Sequence, residues 1–335
     1  MANRPERPER ILDLTSGVTM VVSDLHGDKD AFARHIGRFL QLRTRKKVDR
    51  LLLLGDLIHR DGPKDQDESL SILRDVIRMQ RTLPAGAVVM LLGNHEMPHL
   101  YGVTLAKGNL EYTPGFEQAL TRSGKREEVL SFFNDLPFYV RTAAGVMFTH
   151  AGPDGSAMAN IDKLRHLDHR AILDEFDQVL AANPYPEQLR KLYSQTMGMP
   201  YEMLARYYLG VSGPDDPRYD HLIRSVMLTQ RSTEFEMLWD ALFTRCEEGV
   251  LPTLYERLAR AFLETFSQDA PTSQRFLVTG HIAVTGGHAV VTDQHLRIAS
   301  AAHAQPREAG QYLLLDCAKP IASIQALEKL LGSVF

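Results

Sequence analysis

Ser23-Asp24-Leu25-His26-Gly27, Gly55-Asp56-Leu57-Ile58-His59-Arg60 and Gly93-Asn94-His95-Glu96 decide how this chain folds. Each motif follows a short apolar run: Val18-Thr19-Met20-Val21-Val22, Leu51-Leu52-Leu53-Leu54 and Val88-Val89-Met90-Leu91-Leu92. Uninterrupted branched runs of this length read as strands buried on both faces. A helix-like stretch separates each pair, which gives strand–helix–strand–helix–strand. Right-handed crossovers then make the strands parallel and bring their polar ends to one edge. Two Asp, an Asn and several His would meet there.

Working outward, the chain of 335 residues is long enough for a large core, and a formal net charge of −4 gives no pull toward nucleic acid or an anionic membrane. The densest basic run, Arg43-Thr44-Arg45-Lys46-Lys47, falls where the first helix should end, a place that favours cations. Cys246 and Cys317 are far apart and no Cys pair has ligand spacing, so neither a disulfide framework nor a zinc ribbon is expected. The Pro-, Arg- and Glu-rich start does not read as a signal peptide, and no stretch has the apolar length of a membrane span. A cytoplasmic protein is the expectation.

Residues 1–10 are expected to form a flexible tail, and 11–335 one domain. Asp30 is expected to cap a first helix carrying Phe32, Ile36, Phe39 and Leu40 on one face. Asp61-Gly62-Pro63 reads as a loop, and a second helix begins near Asp67 with Leu70, Leu73 and Ile77 inward. Beyond Glu96 the pattern weakens to loop signals at Gly102 and Gly108 and a helix over Arg126–Phe133. Val146-Met147-Phe148 is another buried strand, ending in Thr149-His150-Ala151-Gly152. From about Asp162 to about Phe266 the pattern is mainly helical and reads as an insertion. Strands return at Phe276–Thr279, Ala289–Thr292, Leu296–Ala299 and Tyr312–Leu315, with Asp293-Gln294 as a hairpin turn.

Divalent cations take carboxylate oxygens, imidazole nitrogens and neutral carbonyl oxygens. Asp24 and His26 leave one strand two residues apart, Asp56 leaves the next with two oxygens able to bridge ions, and Asn94 offers a neutral oxygen. His150 and His281 follow later strands. Polar strand ends in this order point to a metal site.

These motifs make the chain resemble a calcineurin-like metallophosphoesterase, and more closely the phosphoprotein phosphatase branch, in its bacterial form. The resemblance is strong over about residues 18–100, thinner over 144–153 and 276–315, and absent from the helical middle. It implies an α/β fold of the αββα type, two mixed sheets flanked by helices. It also implies two divalent metal ions, manganese first and iron or zinc as alternatives. Asp24 and His26 would hold one ion, Asn94, His150 and His281 the other, with Asp56 bridging. A bridging hydroxide would attack phosphorus in line, His95 would protonate the leaving oxygen, and Arg60 would clamp the phosphate.

The family has Asp where this chain has His59, and that Asp orients and charges the His of Gly-Asn-His-Glu. A neutral imidazole does this less well, so His95 is expected to be a weaker or lower-pKa acid unless Asp61 folds back to serve it. Aryl or tyrosyl phosphates, with good leaving groups, would then be favoured. Arg245 is the choice for a second phosphate-binding Arg, with Arg224 and Arg231 as alternatives. His288 reads as a hairpin residue, and Glu96 as support for its turn. The leading expectation is a phosphomonoesterase acting on phosphorylated proteins. The alternatives are a hydrolase of dinucleoside polyphosphates or nucleotides, and a catalytically weak module that binds a phosphorylated partner.

Overall fold

Alternation within the apolar runs decides the architecture of the protein, a computed structural model of which describes residues 8–61 and 66–335. Side chains in a strand point alternately to opposite faces. In the strand Arg50–Leu53, Leu51 and Leu53 join one apolar cluster while Leu52 and the following Leu54 join another. Met20 and Val22 part from Val21 in the same way, as Val88 and Met90 part from Val89. Both faces of this sheet are therefore buried. Its order is Leu331–Ser333, Gln311–Asp316, Val18–Val22, Arg50–Leu53, Val88–Met90, the last three parallel and Gln311–Asp316 antiparallel to its neighbours.

The second sheet has six strands, Ile11–Leu14, Tyr139–Thr142, Val146–Thr149, Phe276–Thr279, His295–Ile298 and His288–Thr292, in mixed orientation. Val140, Val146, Phe148, Phe276, Val278, Leu296 and Ile298 meet Leu52, Leu54, Val21 and Leu313 of the first sheet, and form the seam between the two. Tyr139, Met147 and Leu277 face outward into the cluster that helices cover. Two mixed sheets with helices outside is the expected sandwich. The Asp293-Gln294 hairpin is also as expected, joining His288–Thr292 to the antiparallel His295–Ile298.

Several local expectations are corrected. The first helix, Lys29–Thr44, is capped by Asp28, whose carboxylate accepts from the Ala31 amide, and not by Asp30. Leu40 is exposed on it and His35 is buried instead. Residues 1–7 of the expected tail, and 62–65 of the expected loop, lie outside the described residues. Arg10, the last residue of that tail, belongs to the fold: it is buried and donates to the carbonyls of Leu167, Asn134 and Leu136. After Glu96 the loop signals at Gly102 and Gly108 fall in turns, and two helices that the sequence did not announce, Met97–Tyr101 and Thr113–Ser123, precede the expected one at Arg126–Asn134. Between Thr149 and Phe276 every regular element is a helix. Both cysteines are free. No helix among the described residues is long and apolar enough to cross a membrane.

Candidate metal centre

The parallel strands end at one edge, and the polar residues meet there. Asp24, His26 and His303 form one group of metal-ligating side chains, His26, Asp56 and His95 a second, and Asp56, His150 and His281 a third. Within each group the candidate donor atoms lie within 4.8 Å of one another. Oδ2 of Asp56 is 3.6 Å from Nε2 of His26 and 3.5 Å from Nε2 of His150, which places this carboxylate at the middle.

The backbone is bent hard to achieve this. Of the five non-glycine residues with positive φ among the described residues, four belong here: His26, Asp56, His59 and His281. Side-chain-bearing residues adopt that conformation at a cost, and such strain gathers at functional sites. Gly93 and Gly280 are required by crowding, because a Cβ on Gly93 would strike Asp56 and one on Gly280 would strike the Asp24 carboxylate. Glu96 holds the second turn by accepting from the amides of Asp56 and Leu57, both at 2.9 Å, the role read for it from the sequence.

Hydrogen bonds prepare the imidazoles as ligands. Nδ1 of His26 donates to the carbonyls of Ile58 and His59, both at 3.1 Å, and Nδ1 of His150 donates to the carbonyl of Leu54 at 2.9 Å. Each Nε2 is left as a bare lone pair aimed inward, the arrangement a metal-binding His requires. Burial pushes His26 down to about 4, and also lowers His150, His281, His95 and His59, so these rings are neutral at neutral pH. Burial raises the Asp24 carboxyl, but the His303 imidazole 3.3 Å away outweighs it and holds Asp24 ionised. Burial and the charges of Glu96 and Asp24 push Asp56 well above the usual carboxylate range.

Without a cation the cluster is poorly satisfied. His26 Nε2 and His281 Nε2 are buried with no hydrogen-bond partner. With its Nδ1 proton on Leu54, His150 turns the Nε2 lone pair toward Oδ1 of Asn94 at 2.7 Å, acceptor against acceptor. Nδ1 of His281 lies 3.1 Å from the same oxygen. Buried acceptors converging on shared space cost free energy that a divalent cation would recover. The donor set, carboxylate, imidazole and amide oxygen, suits such an ion.

Asp24, His26, Asp56, Asn94, His150, His281 and His95 are thus brought together. Arg60 stands on the rim, and no carboxylate pairs with it among the described residues. It lines a cavity of about 310 Å³ together with His59, Tyr112, Phe116, Arg122 and Tyr207. Asp61 does not take the place of the family carboxylate. It accepts from the Tyr112 hydroxyl at 2.5 Å, while Nδ1 of His95 faces Nδ1 of His59 at 3.0 Å. Arg245 is half-exposed and pairs through two nitrogens with Glu248, at 2.6 and 2.8 Å. Its charge nonetheless reaches His281, which it helps hold neutral. Arg224 is committed to Asp177. His303 was not found from sequence, although it follows the strand His295–Ile298 by the same logic as the other ligands. His288 stays away, on Gln311 and Glu328.

Residues 18–210 match the family described as calcineurin-like phosphoesterase. The chain belongs to the calcineurin-like phosphoesterase family. No curated protein matches it significantly. Among solved structures, this calcineurin-like phosphoesterase is similar to a protein serine/threonine phosphatase from Saccharomyces cerevisiae, at 14% identity and TM-score 0.48 over 92% of this chain and 77% of that one. A cold-active protein tyrosine phosphatase matches at 15% identity and TM-score 0.47, over 92% and 75% of the two chains. A metallophosphoesterase from Sphaerobacter thermophilus matches at 13% identity and TM-score 0.35, over 93% and 90%. At these TM-scores the likenesses carry no argument, and the family rests on the matched residues.

Proposed function

We propose that the protein is a phosphomonoesterase dependent on two divalent ions, acting on phosphorylated protein side chains. The observation that carries this is the convergence of lone-pair donors, two of them buried without partners, around Asp56. Asp24, His26 and His303 would hold one ion and Asn94, His150 and His281 the other, with Asp56 between. When bound, the ions would supply Lewis-acid polarisation of the phosphoryl oxygens and a water acidified enough to act as nucleophile at neutral pH.

The remaining work falls to side chains of this protein. Arg60, on the rim and without a carboxylate partner among the described residues, binds phosphate oxygens with its planar guanidinium. His95, beside His26 with ring centroids 4.6 Å apart, gives a proton to the leaving oxygen. Tyr112, Phe116 and Tyr207 in the wall of the cavity beside Arg60 give the phosphorylated side chain an aromatic surface to lie against. Manganese is the proposed ion and the cytoplasm the proposed location.

Hydrolysis of p-nitrophenyl phosphate by chelator-treated protein tests the reading. Turnover should return with manganese and be lost in Asp56→Asn. A folded protein that stays silent with every divalent ion would overturn it.

A further inference from the structure

His59 stands where the phosphoprotein phosphatase pattern has a carboxylate, yet a carboxylate is present further along. Nδ1 of His95 is 3.0 Å from Nδ1 of His59, and Nε2 of His59 is 2.8 Å from Nε2 of His99. Nδ1 of His99 is in turn 2.8 Å from Oε1 of Glu117. The other oxygen of Glu117 accepts from Nε of Arg126 at 2.9 Å. Three imidazoles and one carboxylate therefore form a continuous line, and His59, His99 and Glu117 are buried along it. Phe116 sets its edge against both His59 and His99, and Tyr112 stacks on His59 with rings 14° apart, so the rings have little room to turn.

We propose that Glu117 is the positioning residue of the reaction, acting through His99 and His59 to fix which nitrogen of His95 carries the proton. This rests on the reading of His95 as the proton donor. Burial raises the Glu117 carboxyl, but hydrogen bonds from His99 and Arg126 outweigh it and hold it below the usual range. It is an acceptor only. His99 must then donate from Nδ1, which leaves its Nε2 as acceptor. His59 must donate from Nε2, which leaves its Nδ1 as acceptor. His95 must donate from Nδ1, which leaves Nε2 as its remaining nitrogen for the substrate. Along a line of neutral imidazoles each step follows from the one before, because each ring has one N–H and one lone pair. When Nε2 of His95 is also protonated, its Nδ1–H still meets a lone pair on His59. Donation to the leaving oxygen breaks one N–H bond, forms one O–H bond and returns His95 to the neutral Nδ1–H form. The logic is that of a buried carboxylate orienting a catalytic imidazole, extended over two intervening rings.

Glu117→Gln tests this with almost no change of shape. Arg126 keeps the amide oxygen on its side, so the NH₂ group turns to His99 and reverses every donor along the line. A protonated His95 would then point its Nδ1–H at an N–H of His59. Turnover of alkyl phosphomonoesters, whose leaving oxygen needs a proton, should fall about tenfold or more, while p-nitrophenyl phosphate should change by less than about twofold. His59→Asp added to Glu117→Gln should restore the alkyl rate, because it puts a carboxylate directly on His95. Nitrogen-15 NMR of the imidazoles reads the tautomers without any turnover. The Nδ1–H form of His95 is expected in the wild type and the Nε2–H form in Glu117→Gln. Equal losses on both substrates, or unchanged tautomers in the variant, would overturn the proposal. Tautomers that reverse as expected in a protein without phosphatase activity would instead sink the phosphomonoesterase reading and leave the line of imidazoles standing.

Discussion

The two sheets bring different groups to the same edge. The five-stranded sheet supplies both carboxylates, Asp24 and Asp56, with His26 and Asn94, from the ends of three adjacent parallel strands. The six-stranded sheet supplies imidazoles alone, His150, His281 and His303, each after a different strand. The first sheet therefore brings the carboxylates that attract cations, and the second completes their shells with imidazoles. That division explains why Asp56, which faces Nε2 of both His26 and His150, sits at the junction.

Asp56 is accordingly where the largest effect is expected. Removing even an outer partner of a metal ligand costs roughly 10- to 100-fold, so Asp56→Asn should cost more than about 10²-fold in p-nitrophenyl phosphate turnover. A variant that kept near-normal rates would show that the sheets do not share a centre through this residue. The next effect separates two histidines of the second sheet. His303→Ala should lower both activity and metal affinity by about tenfold or more, whereas His288→Ala, away from the cluster, should leave both unchanged. Equal behaviour of the two would break the assignment of His303. The smallest effect on chemistry is expected at the seam itself. Leu52→Ala, fully buried between the sheets, should cost about 2–5 kcal/mol of stability in denaturant unfolding. Loss of metal affinity without loss of stability there would contradict the separation of seam from site.

The same contrast governs what could be read before the structure. Asp24, His26, Asp56 and Asn94 lie in contiguous motifs behind unmistakable apolar runs, so strand, turn and donor were visible together. Gly93 and Gly280 were legible as parts of motifs, although their physical reason, contact with the carboxylates of Asp56 and Asp24, arises only in the folded chain. His303 was hidden because it lies five residues past its strand, directly behind Ala301-Ala302, with no glycine to mark it. His99 and Glu117 were hidden for another reason: they lie on helices Met97–Tyr101 and Thr113–Ser123, in a stretch whose glycines suggested loop. Tertiary packing places Glu117 beside His99, a contact between residues 18 positions apart that no periodicity announces. The expectation that Asp61 might replace the missing carboxylate failed for the same cause, since the partner of Asp61 is Tyr112.

Calorimetric titration of chelator-treated protein with manganese tests the central claim most directly. Two ions should bind per chain in the wild type and a weakened pair in Asp56→Asn, because that carboxylate lies between the two donor sets. No binding to the folded wild type, or an unchanged titration in Asp56→Asn, would contradict it.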